Sequence, residues 1–171
     1  HRLRLANFHV TLEQKDEAEA VLKQAIADID DVNARLAYAE FLAKQRSAQL
    51  SVDALKKMIE EDPEEYRLRF ALGKLYEAAN DMEKARGAYE EILAMSADDE
   101  GSPNALQAKT RLAVVEARAG ESEGASVLVE EVLADNPRDQ EALKLRGTLS
   151  LSGGDAAAAI ADYRAALRDD P

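Results

Sequence analysis

Apolar residues recur three and four positions apart through most of the chain, in segments separated by short polar breaks. The clearest stretch carries Leu68, Leu72, Leu75, Tyr76 and Ala79, then the break Asn80-Asp81, then Ala85, Ala88, Tyr89, Ile92 and Leu93. That spacing predicts two amphipathic helices. Asn80 and Glu83 stand where a capping box would start the second one. Gly120-Glu121 and Gly154-Asp155 make the same kind of break further on. Glycine ends a helix in the left-handed conformation, and an acidic residue caps the next. Pro63 and Pro137 punctuate the junctions between such pairs.

The helix pairs repeat. A small residue in one helix is followed twelve positions later by another: Ala6 and Ala18, Ala39 and Ser51, Gly73 and Ala85, Ala113 and Ala125, Gly147 and Ala159. Successive pairs are 33, 34, 40 and 34 residues apart. A third landmark lies twelve residues on, at Asp30, Pro63, Ala97, Pro137 and Pro171. Five repeats follow, at about 1–31, 32–65, 66–99, 106–139 and 140–171, with an insertion at about 100–105. Pro103 within it suits the first turn of a lengthened helix.

The small residues have a steric reason. Antiparallel helices approach closely only where side chains at the contact are short. Gly73 facing Ala85 permits this, and a bulky residue at either site would overpack the contact by about 1–3 kcal/mol. Tyr76, Tyr89 and Tyr163 are larger wedges between helices.

Composition agrees with an all-α chain. Apolar residues make up 46% of the 171, aromatics only 5%, with no Trp, so the core is built of Ala, Leu, Val and Ile. Four Pro and eight Gly are few for an all-β fold. With 34 acidic and 22 basic residues the formal charge is −12, which repels a nucleic-acid backbone and suits a solvated surface. No Cys is present, so disulfides, thiolate metal sites and Cys nucleophiles are excluded. No apolar run approaches the ~18 residues of a membrane span. The opening His1-Arg2-Leu3, without an initiator Met, reads as the start of a piece of a longer protein.

Leu72-Gly73, Tyr76, Ala85 and Tyr89 in the third repeat, with Gly147, Gly154-Asp155, Ala159, Tyr163, Ala166 and Pro171 in the fifth, resemble the tetratricopeptide repeat. The resemblance covers nearly the whole chain. It departs at the aromatic that opens the family's pattern, where Arg2, Arg35, Arg69, Lys109 and Leu143 stand. A weaker resemblance, carried by Ala108 to Ala113, Val132 to Asp139 and Ala142 to Gly147, is to bacterial repeat proteins of exopolysaccharide and exosortase systems. It implies a bacterial source and an envelope, periplasmic or cytoplasmic location.

The family resemblance implies a right-handed α-α superhelix that binds a protein or peptide on a concave face lined by first helices. The family's groove positions fall here on Leu3, Asn7, Leu36, Glu40, Arg67, Phe70, Lys74, Thr110 and Lys144, with Lys44 and Arg118 also directed inward. A carboxylate clamp of the chaperone-binding kind is excluded, because the fifth positions of the first three repeats are the apolar Leu3, Leu36 and Phe70. Two readings of that stripe stand. It receives apolar side chains of a partner segment, or it repacks to replace the missing aromatics.

Catalytic material is lacking. His1 and His9 are the only histidines, too few for a multi-His metal site. The acidic runs Glu60 to Glu65 and Asp98 to Glu100 read as solvated, and neither matches a calcium loop. Gly153-Gly154 lacks the Lys-Ser/Thr of a phosphate loop. The sequence therefore reads as a non-catalytic scaffold without cofactor. The alternative is a structural spacer or self-associating segment of a longer repeat array.

Overall fold

The computed structural model describes residues 1–29 and 31–168. Among these the chain is all-α: α1 (Arg2–Thr11), α2 (Lys15–Ile29), α3 (Val32–Gln45), α4 (Ala48–Glu61), α5 (Tyr66–Ala78), α6 (Met82–Met95), α7 (Pro103–Ala119), α8 (Ser122–Asp135), α9 (Gln140–Ser152) and α10 (Ala156–Leu167). They follow one another as five consecutive pairs, each joined by a short turn. Of the third landmarks, Pro63, Ala97 and Pro137 lie in turns between pairs, while Asp30 and Pro171 lie outside the described residues.

Local chemistry sets the helix ends. Ser47 accepts from the Leu50 amide at 3.2 Å, Asp139 from Ala142 at 2.9 Å and Asp155 from Ala158 at 2.9 Å, each satisfying an amide that has no intrahelical partner. Gly120 and Gly154 both take φ of 88°, which only glycine adopts at no steric cost. Ser102 caps α7 and Pro103 begins it, so the insertion partly lengthens that helix. The expected Asn80–Glu83 capping box is not what forms. Asn80 takes the left-handed conformation (φ 58°), and Asp81 is the cap, accepting from the Lys84 amide at 3.2 Å. Asn tolerates left-handed backbone better than other non-glycine residues, which frees Asp81 for the cap.

Packing divides the chain into two compact units, His1–Leu75 and the residues from Tyr76 onward, the division falling inside α5. All ten small landmark residues are buried. In the N-terminal unit the Ser51 hydroxyl donates to the Ala39 carbonyl at 2.7 Å, a bond between α4 and the backbone of α3 that requires close approach. In the C-terminal unit a Cβ on Gly147 would lie 2.9 Å from the Tyr163 ring, so here glycine makes room for the tyrosine wedge. Ala6, Ala18, Leu22, Phe41 and Leu42 form one core cluster in the N-terminal unit. Ala113, Val129, Val132, Leu133, Ala142, Leu143 and Ala166 form one in the C-terminal unit.

Three of the five places of the missing aromatics are filled in two ways, while Arg69 turns to the Pro63 carbonyl in the preceding turn at 2.5 Å. Cationic side chains lay their stems along the pair and carry their charge to the second helix. Arg2 donates to the Gln24 carbonyl at 2.8 Å and pairs with Asp28, and Lys109 meets Glu131 at 2.9 Å. Leu143 instead enters the apolar core.

Candidate partner-binding face

Two neighbouring cavities open between the first helices of the N-terminal unit. One, of about 440 Å³, lies between α1 and α3 and is lined by Leu3, Asn7, Val10, Leu22, Glu40 and Phe41 among others. The second, of about 470 Å³, lies between α3 and α5 over Leu55 of α4, with Leu36, Glu40, Lys44, Ala71, Lys74 and Leu75 around it. Each forms where first helices diverge above a second helix, and short residues (Ala6, Ala37, Ala39, Ala43, Ala71) leave the space.

The nine residues expected at a groove separate into classes. Leu3, Asn7, Leu36, Glu40 and Lys74 line the two cavities. Leu3 and Leu36 are half-buried, while Asn7, Glu40 and Lys74 are exposed. Arg67 is exposed and donates to Asn33 Oδ1 at 2.6 Å, tying α5 to α3. Phe70 is 7% exposed and belongs to the buried core. Thr110 is 2% exposed and its hydroxyl donates back to the Leu106 carbonyl at 3.0 Å. It lies at a separate cavity of about 560 Å³ in the C-terminal unit, beside Gln107, Asn136 and Glu141. Lys144 is exposed on α9, outside the lining of that cavity. The apolar stripe is therefore mixed: Leu3 and Leu36 border open space, and Phe70 is core.

Tetratricopeptide repeat models match residues 3–66 and 110–171, and another matches 42–101. The chain belongs to the tetratricopeptide repeat family. No curated protein matches it. Among solved structures, MamA is similar at 19% identity and a TM-score of 0.68, covering 96% of this chain and 94% of that one. PilF of Pseudomonas aeruginosa is similar at 17% identity and a TM-score of 0.72, covering 99% and 75%. A thermophilic tetratricopeptide repeat protein of Thermus thermophilus is similar at 23% identity and 0.67, covering 99% and 90%. At these identities the likeness shows the fold. Tetratricopeptide repeat proteins are in general non-catalytic scaffolds that bind proteins or peptides.

Within the C-terminal unit this tetratricopeptide chain holds a polar network that the sequence pattern does not reveal. Glu77, 6% exposed, accepts from the Tyr89 hydroxyl at 2.5 Å and from Arg111 through Nε at 3.1 Å and through Nη2. Arg118 reaches it at 3.5 Å, and Arg111 also pairs with Glu141 at 2.6 Å. Burial, and then the bond to Glu77, push the Tyr89 phenol well above its usual range. Burial opposes the charge of Arg111, but its bonds to Glu77 and Tyr89 prevail and hold the guanidinium protonated. One signal was present: Glu77 and Tyr89 stand twelve apart, like the small landmarks, and Arg111 follows 34 after Glu77. Nearby, Glu116 is mostly buried and its carboxyl is raised by desolvation, with Arg86 3.6 Å away in partial compensation. Gly124 gives it room, since a Cβ there would collide with Glu116 Oε2.

Proposed function

We propose that this chain is a non-catalytic scaffold that binds a protein or peptide segment along the first-helix face of its N-terminal unit. The observation that carries the reading is the meeting of Leu3, Asn7, Leu36, Glu40 and Lys74 around two adjacent, largely apolar cavities. Sites of this size with few polar groups suit the side chains of a bound segment. Phe70 is a poor probe of the face because its burial makes a charge there destabilising. Leu36 is a better one, being half-buried at the mouth of the second cavity. Leu36→Glu is expected to weaken binding of a captured partner by at least about tenfold, roughly 1.4 kcal/mol, with circular dichroism unchanged. Val127→Glu, at a site 59% exposed on α8, serves as control. Equal binding by both variants and the parent chain would sink the reading.

A second reading, self-association, is favoured by exposed apolar residues at repeat positions that are buried elsewhere. Phe8 is 57% exposed, whereas Phe41, its equivalent 33 residues on, is 6% exposed against the core that includes Ala18 and Leu22 of α2. Leu5 on α1 and Leu12 at its C-cap extend the stripe at 46% and 51% exposure. On α10, Leu167 is 62% exposed, while its equivalent Leu133 is 7%. The second copy's α10 would cover α1 as α2 covers α3. Sedimentation should show association that rises with concentration and is lost in Phe8→Glu. A parent chain that stays monomeric to high micromolar concentration removes this reading.

A further inference from the structure

The two cavities share a wall. Glu40 and Lys44 line both, stand one helical turn apart on α3 and are ion-paired at 2.6 Å, with side chains 65% and 68% exposed. Packed helices lie 8–10 Å apart, so cavities on either side of α3 are centred about 10 Å apart. Each has an apolar floor: Val10, Leu22 and Phe41 in one, Leu55 and Leu75 in the other. The exposed Glu40–Lys44 pair of α3 lines both cavities and so lies where they adjoin.

The charge around the pair of cavities is unbalanced. Their charged lining residues are Glu40, Lys44 and Lys74. Lys44 satisfies Glu40. Lys74 makes no ion pair or hydrogen bond among the described residues, and it sits beside Ala71 and Leu75. An ammonium over apolar lining is a place where an incoming carboxylate gains more than it would in open water. The rim is thus net positive on a chain whose formal charge is −12. An acidic segment is drawn to it, and a basic one meets an ammonium already without a counter-charge.

Resting on the function proposed above, we propose that the occupant is a segment with two anchors. Two large apolar side chains about 10 Å apart enter the cavities, a polar stretch crosses the Glu40–Lys44 pair, and an Asp or Glu beside the anchor in the α3–α5 cavity pairs with Lys74. In a polyproline II segment that separation is about three residues at ~3.1 Å each, one full turn, which brings both anchors to the same side. In a helix it is about seven residues at 1.5 Å each.

The test is selection of random twelve-residue peptides displayed on phage against the whole chain. Selected sequences are then synthesised and titrated against the parent, Leu3→Glu, Leu36→Glu and Lys74→Glu. The expected peptides carry two apolar positions three or seven apart with an acidic neighbour. Leu3→Glu and Leu36→Glu each weaken them at least tenfold. Lys74→Glu also weakens them at least tenfold, but changes the binding of the same peptide with its acid made an amide less than twofold. Because Lys74 is exposed, that variant tests the pairing even if a leucine variant folds poorly. Peptides that bind at this face, shown by their loss in Leu36→Glu, but carry one anchor or no acid would overturn the two-anchor proposal and leave the binding face standing. Selection of nothing, or of peptides indifferent to all three substitutions, would overturn both.

Discussion

Replacing Glu77 with Ala is expected to lower the unfolding free energy by about 3–5 kcal/mol, the usual cost of removing one partner from a buried ion pair. The loss is large because the carboxylate serves three groups at once. Without it the buried Tyr89 hydroxyl loses that acceptor, and the Arg111 guanidinium, 18% exposed at its side chain, loses its buried counter-charge and keeps Glu141 on its outer side. An unsatisfied buried donor costs about 1–3 kcal/mol, more when charged. The pair itself is not inherently stabilising relative to apolar groups of like volume, since both charges had to leave water. Glu77→Ala combined with Arg111→Met should therefore recover part of the loss. Urea denaturation of the single and double variants checks both statements. A loss under about 1 kcal/mol for Glu77→Ala would mean that water enters the network and screens it. Tyr89→Phe should cost less than Glu77→Ala, because it removes one donor and leaves the charges paired.

Leu55→Ala should cost about 2–5 kcal/mol, whereas Leu50→Ala, on the same helix five residues away, should cost no more than ~0.5 kcal/mol. Leu55 is fully buried and Leu50 is 50% exposed. Deleting buried methyl groups forfeits their transfer free energy and leaves a void that the surrounding helices only partly close. The void would open into the α3–α5 cavity, which Leu55 floors. Leu55→Ala should then alter partner affinity as well, while Leu50→Ala leaves it unchanged. Thermal unfolding of the two variants in parallel checks the contrast, and similar losses from both would contradict the burial pattern of α4.

Legibility in the sequence followed the range of the interactions. The small residues twelve apart were legible, because two helices joined by a short turn meet at a spacing set by the turn itself. The Ser51–Ala39 bond shows that contact directly. Asp155 as a cap and Gly120 as a helix end were legible for the same reason. The break at Asn80 reads one residue early, because Asn both caps helices and tolerates left-handed backbone, and only the neighbouring Asp81 decides between these roles. The split of the Leu3-Leu36-Phe70 stripe was not legible. The three residues hold equivalent places in their repeats, yet Leu3 and Leu36 border cavities while Phe70 is buried.

The sequence by itself determined the all-α class, the five helix pairs and the close contacts within them, because hydrophobic period, caps and twelve-residue spacing are properties of neighbouring residues. It also determined that the chain lacks thiol chemistry and has too few histidines for a multi-His metal site. Tertiary structure alone decided which groove positions stay open, what replaced the missing aromatics and where a buried carboxylate could be satisfied. Each of those depends on side chains that arrive from other helices. Arg111 reaches Glu77 from 34 residues away, and Lys109 fills its place by meeting Glu131 on the next helix. A helix carries its own periodicity in its sequence, but what faces it is set by how the helices pack.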